Sequence, residues 1–548
     1  MYSNTYKNSF ATDVLEYLHL IKIKETSNIY SATDYSTTVT LSGNNKDIEK
    51  NSISNNNHNS LNFTTSSTEE NTDNETINKD PFLVDWNGDD DPEHPYNWST
   101  PKKTIMILQV MLLTAVTYMG SSIYTPGQEA VQKEFHVGHV AATLNLSIYV
   151  LGYGIGPIIF SPLSEFATLG RQNIYIITLF CFCIFQIGAA TVKNYGGMVV
   201  IRFISGIFCS PALATGGATV TDIMKPELVP VVLGLWAVGA IAAPVLAPLL
   251  GAAILEAKDW RWIFWLLLWM CAATLIILIF FFPETHHDNI LVRRARRLRK
   301  ETGDQRYYTT AEKKESELDM KSFILSSLYK PIKIIIKEPI VLAFDVYIAL
   351  CYGIFYLFFE AFPIVFVGIY HFTVVELGLA FMGFQVGCIF AYAIYLTFLS
   401  KYLAPRFKNG LFVPEDFMVL SMIVSWCLPF SLFFFGWTAG IHWILPIVAE
   451  VFFVINTFNI FQTVFAYLGM SYPEHVASVF AGNGLMRAGF ASAFPLFGQA
   501  MFNNLGSEKY PVGWGSSLLG FIGVGVSLIP FVIYKYGAFL RSKSSFTN

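Results

Sequence analysis

The chain has 548 residues, of which 53% are hydrophobic and only 14% are charged. Soluble domains usually carry about 25% charged residues, so this composition excludes an ordinary water-soluble fold and indicates an all-α membrane protein. The formal net charge of −4 gives no reason to expect a nucleic-acid partner.

The first hundred residues differ from the rest in composition. Residues 31–79 are rich in Ser, Thr and Asn and contain few apolar clusters. Such a segment buries too little apolar surface to offset the conformational entropy that it would lose on folding. We therefore predict a disordered N-terminal tail over residues 1–100, with a short amphipathic helix near Val14–Leu20 as a weaker expectation.

Apolar runs of roughly 20 residues, the length needed to cross the hydrocarbon core, then follow one another. They predict an N-terminal lobe of six spans over residues 101–283 and a C-terminal lobe of six spans over residues 339–538. A polar central loop, residues 284–338, separates the lobes, and residues 539–548 form a short tail. The twelve predicted spans are 105–125, 140–162, 172–192, 197–220, 229–254, 261–282, 340–366, 373–397, 412–435, 441–469, 476–500 and 513–537.

Basic residues predict the orientation of the spans, because positively charged loops stay in the cytoplasm. With the N-terminus inside, the loops on that side carry Arg171, Lys225 and Lys401, and the central loop carries the basic run Arg293–Lys300. Loops on the opposite side carry fewer basic residues. Both termini are therefore expected in the cytoplasm. The basic run is interpreted as a topogenic signal, with binding of anionic lipid as the alternative.

An even number of spans in two sets of six is typical of a transporter whose lobes rock around a site near the membrane mid-plane. The sequence contains no phosphate-binding Gly-Lys loop, so neither an ATP-driven pump nor soluble enzyme chemistry is indicated. Its seven cysteines show no zinc-ligand spacing with histidine. No metal site and no cofactor are expected.

Three charged residues inside predicted spans are singled out, because hydrocarbon penalises a charge by about 2.5–3.5 kcal/mol. Arg202 lies in the fourth span, Glu360 in the seventh and Glu450 in the tenth. Buried acids can cycle protons near neutral pH, so we interpret both acids as candidate proton carriers and Arg202 as a residue that tunes proton binding. The alternatives are structural acids, and an ion pair or a snorkelling arginine. Asp345, near a span entrance, is a weaker candidate.

The seventh span carries many aromatic side chains, four of which are spaced i, i+3, i+4 and i+7 on one helix face. Such a face suits a polyspecific apolar pocket with hydroxyl groups, although a packing or lipid-facing stripe has the same spacing. Two asparagines of the tenth span are expected to face the same cavity. The candidate substrate-binding residues are Tyr352, Phe355, Tyr356, Phe359, Asn456 and Asn459.

Small residues recur every four positions in the fifth span, which lets another helix approach one face closely. Two prolines in the same stretch remove backbone donors and bend the helix. We interpret this helix as a pivot between the lobes or a seal against ion leak, with ordinary helix packing as the alternative. The residues of this motif are Gly239, Ala243, Pro244, Ala247, Pro248 and Gly251.

The loop between the second and third spans places an acid and a base around a tight turn. Glu165, Gly170 and Arg171 are predicted to latch one transport state through charge and helix-dipole contacts. A turn that only sets the topology is the alternative.

The resemblance to a known family rests on four stretches, Asp85–Gly88, Tyr118–Gly127, Pro283–Thr285 and Val476–Gly484. In these stretches the chain resembles fungal drug:proton antiporters of the major facilitator superfamily with twelve spans. The resemblance covers nearly the whole membrane region. It implies the two-lobed fold of that superfamily.

The resemblance also implies roles for individual residues. The Arg-x-x-x-Gly motif of the family's fourth span falls on Arg202 and Gly206 and implies proton coupling there. The antiporter signature falls on Ala247, Pro248 and Gly251, with alanine in place of the usual glycine at positions 243, 247 and 252. The loop motif falls on Leu163, Glu165, Gly170 and Arg171, with Glu in place of the usual Asp and two extra residues before the glycine.

Together these features predict a proton-driven exporter in the plasma membrane, and the resemblance implies azole and benzimidazole antifungals among its substrates. The proton gradient is the expected energy source. The expected partners are small amphipathic drugs, protons and membrane lipid, and a monomer is expected. A proton-coupled nutrient importer of the same fold and a non-transporting membrane sensor are the alternatives.

Overall fold

The computed structural model describes residues 7–17, 80–317, 319–544 and 546. These residues are largely helical, and they form no β-strand. Eleven helical segments within them are long and apolar enough to cross a membrane. The predicted span 476–500 corresponds to a further helix of 30 residues, which is less apolar because asparagines, an arginine and a glutamine interrupt it.

The helices overlap all twelve predicted spans. Spans 8, 9 and 12 each consist of two consecutive helices, because the chain bends within the predicted segment. In chain order, spans 1 to 12 are Thr100–Ser122, His139–Glu165, Gly170–Thr191, Tyr195–Ile223, Val229–Ala257, Arg261–Phe281, Pro339–Phe362, Val374–Ala380 with Met382–Phe398, Phe417–Val424 with Cys427–Thr438, Ile444–Ser471, Val476–Leu505, and Gly513–Ser527 with Ile529–Ser542.

Shorter helices lie between and before the spans. We call the side of the spans that carries residues 80–99 and the central loop the loop side, and the opposite side the far side. The helices outside the spans are Phe10–Tyr17, Gln128–Phe135, His287–Thr302, Thr310–Ser316, Met320–Lys337 and Ala404–Lys408.

The two lobes meet where span 2 packs on span 11 and span 5 packs on span 8. Glycines allow the closest approaches. A Cβ atom at Gly154 of span 2 would collide with the side chain of Ala488 of span 11, and one at Gly378 would lie 2.7 Å from the Cα of Leu249 in span 5. At these two positions the helix backbones of the two lobes therefore approach each other closely.

The predicted disordered tail, residues 1–100, differs from the structure in two segments. Residues 7–17 contain the helix Phe10–Tyr17, and residues 80–99 lie against the central loop. The rest of the tail up to residue 79 lies outside the described residues. The helix begins earlier than the Val14–Leu20 segment that its amphipathic pattern indicates.

Long-range ion pairs explain this difference, because composition reports only local tendencies. Arg293 of the central loop pairs with Asp13 and donates a hydrogen bond to the carbonyl oxygen of Asn8 at 3.0 Å. Arg294 binds Asp91 at 3.0 Å and Glu93 at 3.1 Å. Burial opposes ionisation of both acids, but the guanidinium of Arg294 beside them lowers the pKa of Asp91 and, together with Lys7, the pKa of Glu93.

The basic run therefore holds the N-terminal segments rather than lying open towards lipid. Arg293, Arg294 and Arg297 are all buried. Arg297 donates to Asn8 Oδ1 at 2.7 Å. Neither the topogenic nor the lipid-binding interpretation of this run predicts this packing, because the partners in residues 7–17 lie about 280 residues away in sequence.

A single carboxylate joins the central loop to the start of span 3. Glu284 is fully buried and accepts hydrogen bonds from the backbone N–H groups of Arg171 at 3.1 Å and Gln172 at 3.2 Å. It also accepts from the N–H groups of Thr285 at 2.9 Å and His286 at 3.0 Å. The first N–H groups of a helix have no partner within the helix, and a negative charge there is favourable.

We expect Glu284→Ala to destabilise the protein strongly, because each buried donor left without an acceptor costs about 1–3 kcal/mol. The thermal unfolding midpoint of the purified protein in detergent should fall by about 5 °C or more. Glu227→Ala is the matched control, since Glu227 is exposed on the same side of the membrane region. An unchanged midpoint for Glu284→Ala would show that this carboxylate does not hold the loop to span 3.

Candidate functional site

Arg202 is fully buried in span 4. Its guanidinium donates to the carbonyl oxygens of Gly120 at 2.8 Å and Ser121 at 3.2 Å, in the last turn of span 1, and to that of Asn145 in span 2 at 3.1 Å. The ring of Tyr149 lies 4.4 Å from it. Carbonyl groups in the last turn of a helix lack partners and carry partial negative charge. Arg202 therefore caps span 1 and joins three spans, and it neither snorkels nor forms an ion pair among the described residues.

Gly206 lies one turn after Arg202 and lets spans 2 and 4 touch. A Cβ atom there would collide with the carbonyl oxygen of Tyr149, and one at Gly152 would collide with the carbonyl oxygen of Phe203. This close approach brings the backbone of span 2 within hydrogen-bond distance of Arg202. The Arg-x-x-x-Gly spacing thus has a packing basis in this fold.

Glu360 lies near the far-side end of span 7, and only 4% of its surface is exposed. Its carboxylate accepts a hydrogen bond from Thr143 Oγ1 at 3.3 Å and lies 3.3 Å from His139 Nε2. Both partners belong to span 2, so this acid bridges the two lobes. The ring centre of Tyr124, at the end of span 1, lies 5.6 Å from the guanidinium carbon of Arg202.

Glu450 lies apart from this bridge, inside the C-terminal lobe. It is fully buried, and a Cβ atom at Gly383 of span 8 would lie 2.6 Å from its carboxylate. Neither carboxylate oxygen has a side-chain or other hydrogen-bond partner within the described part of the chain. The three charged residues thus occupy separate places: Arg202 in one lobe, Glu450 in the other and Glu360 between them.

The aromatic face of span 7 divides into two parts. Tyr356 is fully buried and donates from its hydroxyl to Ser121 Oγ of span 1 at 3.1 Å, while Tyr352 is half-buried beside it, with ring centres 5.8 Å apart. Phe355 and Phe359 instead pack against rings of span 8. Tyr356 therefore contacts the N-terminal lobe with Tyr352 beside it, and the phenylalanines pack within the C-terminal lobe.

Asn456 and Asn459 do not face an open cavity, contrary to the expectation from their spacing. Both are fully buried. Asn456 is hydrogen-bonded to the hydroxyl of Tyr347 at 3.0 Å. Asn459 donates to the carbonyl oxygens of Ile455 at 2.9 Å and Ala391 at 3.3 Å. Polar groups buried in hydrocarbon require partners, and the Asn456 amide and the Asn459 nitrogen find them among spans 7, 8 and 10.

The small-residue face of span 5 packs against span 1. Because Pro248 has no N–H group, the carbonyl oxygen of Pro244 has no donor one turn later. Ser122 Oγ supplies that donor at 2.5 Å. A Cβ atom at Gly251 would collide with the carbonyl oxygen of Ile123. Ala243 and Ala247 are buried in the same helix.

Gly239 lies on this face as well, where an added Cβ atom would be 2.9 Å from the side chain of Met111 in span 1. On its other side, span 5 meets span 8 of the opposite lobe. Gln385 Nε2 donates to the carbonyl oxygen of Ala242 at 2.8 Å, and the Tyr392 hydroxyl donates to that of Val231 at 3.0 Å. Span 5 is therefore held between the two lobes.

The acidic partner of Arg171 is Asp222 rather than Glu165. Arg171 forms a two-pronged ion pair with this residue at the end of span 4. Glu165 is exposed at the end of span 2 and forms no ion pair with Arg171 among the described residues. Gly170 has a φ of +72°, which favours glycine, and a side chain there would collide with Glu284.

The sequence pattern did not single out Arg487, although it is a charged residue inside a predicted span, the same signal that identified Arg202. Its guanidinium carbon lies 4.8 Å from the ring centre of Tyr352 and 5.0 Å from that of Phe461. Asp345 lies nearby on span 7 and accepts a hydrogen bond from Asn483 at 2.8 Å. The structure brings these residues together on the loop-side half of the C-terminal lobe.

Comparison with known proteins gives a consistent result. The family model of the Major Facilitator Superfamily matches residues 110–496. Fluconazole resistance protein 1 of Saccharomyces cerevisiae is 60% identical over 549 residues and covers 100% of both chains. Multidrug transporter FLR1 of Candida glabrata is 61% identical, covering 86% of this chain and 84% of its own. The cycloheximide resistance protein of Candida maltosa is 41% identical, covering 86% and 88%.

Solved structures agree on the fold. The partially occluded, inward-open xylose transporter XylE from E. coli is similar with a TM-score of 0.55 at 15% sequence identity, covering 80% of this chain and 98% of that one. The arrangement of spans and the family match lead to the same conclusion, and the chain belongs to the major facilitator superfamily.

Proposed function

We propose that this chain exports amphipathic toxicants, including azole and benzimidazole compounds, across the plasma membrane in exchange for protons. The observation that carries this proposal is the 60% identity over the full length to Fluconazole resistance protein 1. The names of the Candida relatives, a multidrug transporter and a cycloheximide resistance protein, point to a wider range of toxic substrates. The half-buried Tyr352 and the buried Tyr356, with the phenylalanines behind them, would form the substrate-binding wall.

Proton coupling is proposed for Glu360, Arg202 and Glu450. Glu360 supports it most directly, because a charged carboxylate holds His139 and Thr143 of the opposite lobe and a protonated one holds them less. Moving one elementary charge across 100 mV is worth about 2.3 kcal/mol. Arg202 would keep the ends of spans 1 and 2 in place while Glu360 changes charge. Glu450 would be a second proton-binding acid, in the C-terminal lobe.

The proposed orientation puts both termini and the loop side in the cytoplasm, where basic loops are retained. Glu360 and His139 then lie near the outer surface, where protons enter. We treat residues 101–283 and 339–538 as the two moving lobes of a monomer surrounded by lipid.

We expect vesicles that contain the full chain with its loop side outward and an acidic lumen to accumulate fluconazole, because protons leave as the drug enters. Glu360→Gln should remove most of this accumulation, by about tenfold or more, since a neutral side chain cannot carry the proton. Arg202→Lys should do the same, because lysine cannot bind three carbonyl groups in a planar fork. Radiolabelled fluconazole provides the measurement.

Glu227→Gln, an exposed acid on the loop side, is the control and should accumulate fluconazole normally. Accumulation of fluconazole only when the lumen is alkaline would mean that drug and protons move in the same direction. That result would favour the proton-coupled nutrient importer. An absence of movement by the wild-type chain under any gradient would favour a sensor. Unchanged accumulation in Glu360→Gln would remove Glu360 from the coupling mechanism.

We propose that span 5 acts as a pivot between the lobes and as a seal against ion leak. A substitution at Gly251 tests whether its close packing is required. We expect Gly251→Ala to cost about 1–3 kcal/mol through overpacking against Ile123 and to lower both the thermal midpoint and fluconazole accumulation. Gly489→Ala is the matched control, because a Cβ atom at Gly489 meets no described atom within 4 Å. Equal behaviour of the two variants would show that close packing of span 5 is not required.

A further inference from the structure

A polar cluster on the loop-side half of spans 7 and 11 has no part in the coupling proposed above. Asp345 is fully buried in span 7. Its Oδ1 atom accepts a hydrogen bond from Asn483 Nδ2 of span 11 at 2.8 Å. Its Oδ2 atom has no hydrogen-bond partner among the residues that the structure describes. A buried carboxyl group with one unpaired oxygen is costly when charged, so the site is suited to holding a proton.

Arg487 lies one helical turn after Asn483 and on the same face of span 11. The two side chains form no ion pair among the residues that the structure describes, and the Nε atom of Arg487 has no hydrogen-bond partner there. The guanidinium is held instead by the ring faces of Tyr352 and Phe461, at 4.8 Å and 5.0 Å. Arginine can both stack on aromatic rings and pair with a carboxylate, so it has two alternative partners here.

Other charged groups around span 7 have different partners or lie at its surface. Glu338, at the start of the span, accepts from the hydroxyls of Tyr472 at 2.9 Å and Ser544 at 2.8 Å. Arg541 of span 12 pairs with Glu415. Glu450 of span 10 faces Gly383. In the helix before span 7, Lys330 and Lys333 are half-buried and Lys337 is exposed.

Tyr352 connects this cluster to the substrate wall. It follows Asp345 by seven residues, which places both on one face of span 7. In the structure the guanidinium of Arg487 covers the ring of Tyr352. An aromatic drug would stack on this same half-buried ring. The arginine and the drug would therefore compete for the same ring.

We propose that Asp345 is a further proton-binding residue and that Arg487 makes binding of a proton and binding of an aromatic drug mutually exclusive. With Asp345 protonated and neutral, Arg487 stays on Tyr352 and the drug is excluded, as in the arrangement that the structure shows. With Asp345 charged, Arg487 moves to the carboxylate and frees the ring. Only the carboxyl O–H bond forms and breaks: the proton arrives from the far side and leaves to the loop side.

This inference rests on the proposed proton-driven export, and drug binding tests it separately. The probe is fluconazole, and its dissociation constant is measured at pH 5.5 and pH 8.0 for the full chain in lipid nanodiscs. For the wild type we expect binding to weaken at pH 5.5 by about tenfold or more, because exchange of one proton for one drug changes the affinity by up to tenfold per pH unit.

The variants separate the two roles. Asp345→Asn keeps an acceptor for Asn483 but cannot ionise, so it should bind fluconazole weakly at both pH values. Arg487→Gln can neither cover the ring with a charge nor pair with Asp345, so it should bind fluconazole tightly at both. Asp345→Glu, which restores an ionisable group, should restore the pH dependence. Glu227→Gln is the control and should behave as wild type.

Two results would overturn the inference: wild-type affinity for fluconazole that does not change with pH, or an Asp345→Asn or Arg487→Gln variant that keeps the wild-type pH dependence. Exchange of labelled for unlabelled fluconazole without a gradient shows that each variant is folded and able to move its lobes. If Asp345→Asn lost this exchange and Asp345→Glu did not regain it, Asp345 would be structural. Failure of the wild type to accumulate drug under a gradient would instead overturn the proposed export.

Discussion

The fold of the N-terminal lobe depends on how one buried positive charge is stabilised. Arg202 forms no ion pair among the described residues, and its Nε, Nη1 and Nη2 atoms donate to the open carbonyl end of span 1 and the backbone of span 2. Each hydrogen bond to a charged group is worth about 1.5–3 kcal/mol, which offsets the cost of the charge in hydrocarbon. Because the arginine needs all three carbonyl groups at once, spans 1, 2 and 4 are fixed relative to one another.

The same requirement, that no buried backbone group stays unpaired, explains the neighbouring motifs. Ser122 follows directly after the two residues that bind Arg202, and its hydroxyl serves the Pro244 carbonyl that Pro248 leaves open. Thr125 Oγ1 in turn donates to the Ser122 carbonyl at 2.6 Å. The segment that ends span 1 thus organises both the arginine of span 4 and the bend of span 5. On the loop side, Glu284 has the equivalent role for the first turn of span 3.

The membrane spans were predictable because hydropathy is a local property, and even span 11, which is less apolar than the rest, overlaps its predicted segment. Arg202, Glu360 and Glu450 were found as charges in apolar surroundings for the same reason. Partners were not predictable, since they lie far away in sequence: Asp222 replaces Glu165 beside Arg171. Spacing also could not distinguish the phenylalanines that pack on span 8 from Tyr356, which contacts span 1, because these aromatic residues share one helix face.

Arg202, which is fully buried, and Arg487, which is half-buried, differ in a way that suits two moving lobes. Arg202 donates to three backbone carbonyl groups, and moving it would leave all three unpaired. Arg487 is held by two ring contacts, each worth about 0.5–2 kcal/mol, so a charge appearing on Asp345 could outweigh them. A transporter needs one part of the site that stays in place and another that responds to its ligands. A ligand shifts the equilibrium between two conformations only if it binds one of them more tightly than the other. The N-terminal lobe supplies the fixed charge, and the C-terminal lobe supplies the one that can change partners.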